Sequence, residues 1–182
     1  MNAGRHLMVL LMLASVGVGP AARMARAALD EEVQVEAAFL YNFTRFASWP
    51  ETAFGAGGSS LVIGVVGQSP FGGALEGLRG VVQGGHPIAV RTVSGVEGAG
   101  QCHLLFVPHG SCGEVDGLLG GLKGRSVLTV SDCPGFARAG GAIEFVVVND
   151  TVRFRVNLEA ARRANVKLSS QMLGVAIEVV KN

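Results

Sequence analysis

The feature that most constrains the fold is a short segment, Leu61-Val-Ile-Gly-Val-Val66, in which no residue is polar. A strand with one face in water alternates polar and apolar side chains, whereas a strand buried on both faces reads as a continuous apolar run. The segment therefore predicts a sheet that is covered on both sides. Gly67 ends the strand, and Ser69 and Pro70 are typical of a helix start, so we expect a helix from there to about Leu78.

Strand and helix patterns alternate in the middle of the chain. Further strands are predicted at Ile88 to Val93, His103 to Val107 and Ser126 to Val130, with a short helix at Glu114 to Leu122. Such alternation favours a largely parallel sheet. The earlier segment Glu31 to Trp49 has apolar residues at helical spacing, and we expect this first helix to lie on the sheet.

A hairpin is predicted near the end of the chain. Ala142 to Val148 and Val152 to Val156 flank Asn149-Asp150-Thr151, a sequence typical of a tight turn. The predicted fold class is thus α/β, a three-layer structure with a mostly parallel sheet, helices on both faces and a C-terminal antiparallel hairpin.

Two helices are predicted around and after the hairpin's end. Asn157 would cap a helix from Leu158 to about Ala164, and Ser169 would cap a last helix that continues to Val180.

The N-terminus has the pattern of an export signal. Arg5 and His6 precede an apolar run from Leu7 to Val18, and Ala25-Arg26-Ala27 offers small residues at the cleavage positions. The run is shorter than the ~20 residues that a membrane-spanning helix needs. We therefore predict a signal peptide at 1–27 and a single domain at 28–182 in the periplasm, with no membrane span after processing. Loss of the basic leader leaves a slightly acidic chain, which argues against nucleic-acid binding.

Three cysteines lie in the predicted exported part. Cys102 starts a predicted strand, whereas Cys112 and Cys133 each follow the carboxyl end of one. If those strands are parallel, the latter two share one edge of the sheet, within the ~5.5 Å Cα separation that a disulfide requires. We predict a disulfide between Cys112 and Cys133. His109 lies at the same edge, so a metal site made of His109 and these two cysteines is an alternative, although no Cys-x-x-Cys pair is present.

Two other patterns suggest chemistry less strongly. The segment from Gly64 to Gly73 could bind an anion at a strand-to-helix turn, but it matches neither nucleotide-binding motif. Asp132 and Glu144 could form an acid and base pair, yet nothing in their spacing requires it and no G-x-S-x-G motif is present. We predict that the protein is not an enzyme and carries no cofactor or metal.

Four residues are candidates for partner or ligand binding. Asn42 falls on the apolar stripe of the first helix, and Arg45 and Trp49 follow it, so this end of the helix could form a binding surface. Asn157 is the fourth candidate. Each has a structural alternative: an Asn42 satisfied by a loop carbonyl, a Trp49 that anchors the helix exit, and an Asn157 that caps a helix.

An ordered set of segments resembles the YfiR family over nearly all of the predicted exported chain. The set includes a helix that ends in Trp-Pro and a Phe-x-x-Asn-Leu segment, and its members are Glu36 to Pro50 (EAAFLYNFTRFASWP), Ile63 to Gly67 (IGVVG), Cys102 to Phe106 (CHLLF), Val127 to Asp132 (VLTVSD), Phe154 to Leu158 (FRVNL) and Lys167 to Ser170 (KLSS).

The resemblance implies a periplasmic α/β protein, commonly a homodimer, that represses an inner-membrane diguanylate cyclase by binding its periplasmic sensor portion. Release of the repression would raise cyclic di-GMP and promote biofilm formation. Other relatives are sensory modules with unknown partners, and the alternative function is a receptor for a small ligand at the carboxyl edge of the sheet. Relatives often have a cysteine in the first strand that pairs with the one matching Cys102. Gly64 stands there in this chain, which implies a buried Cys102 thiol.

Overall fold

The computed structural model describes residues 20–55 and 59–180, with side chains from residue 30 onward. Residues 1–19 of the predicted signal peptide lie outside this part, and its remaining residues belong to the first helix. Cleavage after Ala27 stays a prediction.

Ten strands, five α-helices and three short 3-10 helices lie in the described part of the chain. The strands are β1 (Ala47–Ser48), β2 (Leu61–Val66), β3 (Val82–Gln83), β4 (His86–Val93), β5 (Leu104–Val107), β6 (Leu128–Ser131), β7 (Ile143–Val148), β8 (Thr151–Asn157), β9 (Lys167–Leu168) and β10 (Glu178–Val180). The helices are α1 (Pro20–Phe46), α2 (Gly95–Ala99), α3 (Val115–Gly121), α4 (Leu158–Arg163) and α5 (Ser170–Val175).

An eight-stranded sheet forms the centre of the fold, in the order β10-β8-β7-β6-β5-β2-β4-β3. Its neighbouring strands are parallel except in the β7–β8 hairpin and the β3–β4 pair. β1 and β9 form a separate two-stranded antiparallel sheet. The predicted hairpin is confirmed, and its turn residues Asn149 and Asp150 both have positive φ, as a type I′ turn requires.

Both faces of β2 are buried, as its sequence predicts. Leu61, Ile63 and Val65 belong to one cluster of buried side chains, and Val62 and Val66 belong to another. Because successive side chains of a strand point to opposite faces, the two clusters lie on opposite sides of the sheet. The fold is mixed α/β, and the full three-layer description stays a prediction.

Helix α1 packs on the sheet through an aromatic cluster. Phe43 is 1% exposed, and its ring centroid lies 5.1 Å from that of Phe154 and 5.8 Å from that of Phe145. Each fully buried side chain of this size contributes about 1.5 to 3 kcal/mol to folding. The helix ends at Phe46, before the predicted end at Trp49, because Ala47 and Ser48 pair with β9 instead.

The helix predicted from Pro70 to Leu78 is wrong. The chain there forms turns and a single 3-10 turn at Glu76–Leu78. Gly72 has φ +50, outside the right-handed helical region, and each glycine costs a helix about 1 kcal/mol relative to alanine. Phe71 and Leu75 are nevertheless buried in the cluster that also contains Phe43.

The last predicted helix is also shorter than expected. α5 ends at Val175, and the chain then forms β10, parallel to β8, with Ile177 N donating to Phe154 O at 3.0 Å. Gly174 weakens the helix, while the β-branched residues that follow favour a strand. The predicted Ser169 cap is present, since its Oγ accepts from Met172 N at 3.2 Å.

Candidate functional site

A disulfide joins two loops at the carboxyl edge of the parallel strands. β5 and β6 are neighbours and end side by side, with Val107 opposite Ser131. Cys112 and Cys133 follow them and are disulfide-bonded, with 5.6 Å between their Cα atoms. This is the pair that the strand order predicts. Ser131 Oγ fixes the second loop, since it donates to Val107 O at 2.6 Å and accepts from Cys133 N at 2.9 Å.

The disulfide uses both thiols of the alternative metal site. His109 Nδ1 lies 3.9 Å from Cys112 Sγ, but the sulfurs are bonded to each other and provide no thiolate ligand. Among residues 20–55 and 59–180, no group of three or more His, Cys, Asp or Glu side chains is placed to hold a metal ion.

An acidic cavity of about 360 Å³ lies beside the same edge of the sheet. α1 contributes Glu32 and Glu36, Asp132 comes directly after β6, and Glu144 belongs to β7. We call this space the acidic cavity. Its other walls are mainly apolar and include Phe145, Val146 and Val152 of the hairpin.

Glu36 is the most unusual residue of the acidic cavity. It is 4% exposed, although it is a carboxylic acid. Burial, together with the negative charges of Asp132 and Glu32, raises the pKa of Glu36 to about 8. Glu36 therefore holds a proton at neutral pH when the cavity is empty.

Asp132 also has an oxygen without a hydrogen-bond partner among the described residues. This atom, Oδ1, is buried. Burial raises the pKa of Asp132, whereas hydrogen bonds from the backbone of Asp132 and His109, together with the charge of His109, oppose that rise. Two carboxyl groups from distant parts of the sequence thus face a shared cavity, and one oxygen of Asp132 lacks a donor from the described residues there.

Glu144 differs, because protein donors surround it. Its carboxylate accepts from Gly135 N and Ala137 N, each at 3.0 Å, and from Arg155 Nη1 at 3.1 Å. Glu144 therefore holds the loop after β6, and its oxygens are committed to that loop and to Arg155. The alternative of an acid and base pair with Asp132 finds no support in this arrangement.

Two of the four sequence-predicted binding residues have structural roles. Asn157 is fully buried: its Nδ2 donates to Ala137 O at 2.7 Å, and its Oδ1 accepts from Ala160 N at 2.9 Å, which caps α4. Because Asn157 is fully buried, its amide is out of reach of a ligand. Trp49 Nε1 donates to the backbone oxygen of His103 at 2.9 Å and so anchors the chain after α1.

The other two candidates lie on α1. Asn42 is half-buried, and Arg45 is the one exposed residue of the four candidates. The Arg45 guanidinium lies 5.9 Å from the ring centroids of Tyr41 and Phe46. A binding role for Asn42 and Arg45 stays a prediction.

Sequence reasoning missed Glu32 and Glu36. Glu36 precedes Leu40 by one helical turn, and Leu40 belongs to the buried face of α1. This i, i+4 relationship places Glu36 on the same face, where a carboxyl group is unexpected. That spacing is the signal that could have found it.

A family model described as YfiR/HmsC-like matches residues 33–177. The chain belongs to the YfiR/HmsC-like family. The matched region contains both disulfide cysteines, Glu36 and Asp132. No helix within residues 20–55 and 59–180 is both long and apolar enough to cross a membrane.

Among solved structures, this YfiR/HmsC-like chain is similar to a conserved domain protein from Vibrio cholerae O1 biovar El Tor strain N16961. The two share 10% sequence identity with a TM-score of 0.48, over 66% of this chain and 55% of that chain. The similarity thus spans little more than half of the Vibrio protein. No protein among curated sequences matches the chain.

Proposed function

We propose that this protein is a periplasmic regulator that represses an inner-membrane diguanylate cyclase by binding its periplasmic sensor portion. By doing so it limits cyclic di-GMP and biofilm formation. The observation that carries the proposal is membership of the YfiR/HmsC-like family, whose model matches residues 33–177. Members of this family regulate other proteins and are not enzymes.

The disulfide supports the location outside the cytoplasm. Disulfides persist in oxidising compartments such as the bacterial periplasm and are rare in the cytosol. The Cys112–Cys133 bond ties the loops that follow β5 and β6. Reduction would release both loops, so redox stress in the envelope could change the surface that binds the cyclase.

Crosslinking tests the proposal directly. The protein, expressed with an affinity tag in its own host, is crosslinked in intact cells and recovered from the envelope for mass spectrometry. We expect a membrane protein with a cytoplasmic diguanylate cyclase domain. Deletion of the gene should raise cyclic di-GMP and surface adhesion, and a copy without residues 1–27 should not bring them back down to wild-type levels. Unchanged cyclic di-GMP in the deletion strain would refute the cyclase role.

A receptor for a small ligand is a second candidate, and the acidic cavity favours it. Small-molecule sites usually have volumes of about 300 to 1,000 Å³ with apolar walls and a few polar groups, and open α/β sheets bind ligands at their carboxyl edges. The acidic cavity has a volume of about 360 Å³ and lies at that edge. A thermal-shift screen of metabolites tests this function. Stabilisation by one metabolite without a membrane partner supports a receptor, and no stabilisation counts against it.

A further inference from the structure

The acidic cavity contains a buried carboxyl group without a counter-charge. Glu36 is 4% exposed and lines the cavity, and within the described part of the chain no side chain forms an ion pair or hydrogen bond with it. A buried carboxylate is costly unless a cation or several donors compensate for it, and without them the group keeps its proton. The protein supplies neither to Glu36.

Asp132 gives a second, separate sign of a missing partner. It reaches the cavity from the end of β6, on a different element from Glu36, and its buried Oδ1 accepts no hydrogen bond from the described residues. A positively charged donor placed between α1 and the end of β6 would satisfy both carboxyl groups.

Arg155 is the basic residue that lines the cavity, and its side chain already forms ion pairs with other carboxylates. Arg155 Nη1 lies 3.1 Å from Glu144 Oε1, and Arg155 Nε lies 2.9 Å from Glu178 Oε2. The Arg155 charge is thus shared between two other carboxylates. No described side chain forms an ion pair with Glu36 or Asp132, so the position between them is open to a positive charge from a ligand.

The walls of the cavity indicate what carries that charge. The described residues form no group with the placement of metal ligands, and the hairpin presents Phe145, Val146 and Val152 to the same space. Apolar walls beside carboxylates fit a molecule with a hydrocarbon part and a cationic head. We propose that the acidic cavity binds a small alkyl amine, whose ammonium group lies between Glu36 and Asp132.

Amine binding should release a proton from Glu36. In the empty cavity Glu36 is protonated at neutral pH, because its pKa is raised to about 8. The titratable groups that line the cavity with Glu36 are Glu32 on α1, Asp132 after β6, and Glu144 and Arg155 on the hairpin, while His109 acts on Asp132. The ammonium group favours the carboxylate form, so below pH 8 the apparent affinity should fall by about tenfold for each unit by which the pH decreases.

Isothermal titration of the purified, disulfide-bonded protein tests the proposal. The probes are butylamine, putrescine and agmatine, with 1,4-butanediol as an uncharged analogue of putrescine and calcium chloride as a metal control. At pH 8 we expect at least one amine to bind, and butanediol and calcium not to bind. Repeating the titration at pH 6 should weaken amine binding by more than tenfold.

Matched variants locate the site. Glu36→Gln keeps the shape of the side chain, relieves repulsion in the cavity and should weaken amine binding by at least about tenfold. Asp132→Asn should also weaken it, whereas Glu31→Gln, at an exposed neighbouring position, should leave it unchanged. Circular dichroism confirms that each variant is folded.

Three results would overturn the proposal. The first is that none of the three amines binds. The second is that an amine binds the Glu36→Gln variant as tightly as the wild type. The third is that calcium binds and the amines do not. The inference deepens the receptor candidate and does not need the cyclase. If the protein binds none of the amines but its deletion still raises cyclic di-GMP, this inference alone is overturned. If it binds an amine but its deletion leaves cyclic di-GMP unchanged, the cyclase role alone is overturned.

Discussion

Gly64 of β2 packs directly against the thiol of Cys102. A methyl group at Gly64 would clash with Cys102 Sγ and would lie 3.3 Å from Leu105 Cδ1. Cys102 is 4% exposed and is a free cysteine, and burial raises its pKa to about 11. The absence of a side chain at Gly64 thus makes the space that this thiol occupies.

Replacing Gly64 by alanine should destabilise the protein by about 1 to 3 kcal/mol, because the core is overpacked there. Adding Cys102→Ala removes the sulfur, so the double variant should lose less stability than the sum of the two single variants. Urea denaturation of the four proteins in this cycle measures the coupling. Gly77→Ala is the control, since a methyl group there meets no atom within 4 Å. Strict additivity would show that the two positions do not touch.

Removing the disulfide should cost about 3 kcal/mol in the chain-entropy model, since the two cysteines are 21 residues apart. The measurement is the free energy of unfolding of a Cys112→Ser, Cys133→Ser double variant, against the wild type with and without reductant. Reductant should lower the stability of the wild type and leave that of the variant unchanged. A dominant Cys102-linked peptide in non-reducing mass spectrometry of the wild type would contradict the pairing.

The Glu36 carboxyl should make the fold less stable as the pH rises. Its pKa is raised from 4.5 to about 8 in the folded protein, so between these values the folded state binds more protons than the unfolded state. Stability from this group is complete below about pH 4.5 and is lost progressively as the pH rises to about 8. Glu36→Gln should therefore stabilise the protein at pH 8 by about 2 to 4 kcal/mol.

Denaturation of wild type and Glu36→Gln at pH 5 and pH 8 measures this effect, with Glu31→Gln as the exposed control. The advantage of Glu36→Gln should be larger at pH 8 than at pH 5. An advantage that is the same at both pH values would show that Glu36 titrates normally.

Asn157→Ala should destabilise the protein by about 2 to 4 kcal/mol, because it removes the cap of α4 and leaves the buried oxygen of Ala137 without a donor. Ser169→Ala is the matched control: it removes only a partly buried cap, so the expected loss is about 1 kcal/mol. Thermal denaturation compares the two variants. If Asn157→Ala were as stable as the wild type but failed to bind the membrane partner, Asn157 would be a binding residue instead of a structural one.

Elements that depend on residues close together in the sequence were predicted correctly. The continuous apolar run of β2, the turn after β7 and the caps at Asn157 and Ser169 could all be recognised within a few residues. The Cys112–Cys133 pair needed one more step, the assumption that β5 and β6 are parallel neighbours.

The failures occurred where a local preference competed with a distant partner. The Pro70 to Leu78 segment has a helix-like start, but its glycines leave it in turns that bury Phe71 and Leu75. Val175 to Val180 continues a helical pattern, but pairing with β8 converts its end into β10. Propensity alone could not reveal that the edge of β8 was free to accept another strand.

The sequence by itself determined the kind of fold, because period-two and helical hydrophobic patterns depend only on which residues follow one another. It also determined the family and the cysteine pair. The acidic cavity was decided by tertiary structure alone: Glu36 and Asp132 are far apart along the chain, and they face one cavity only because α1 packs on the β7–β8 hairpin, and β7 lies beside β6. Burial and the field of neighbouring charges, which set the pKa of Glu36, exist only after that packing has formed.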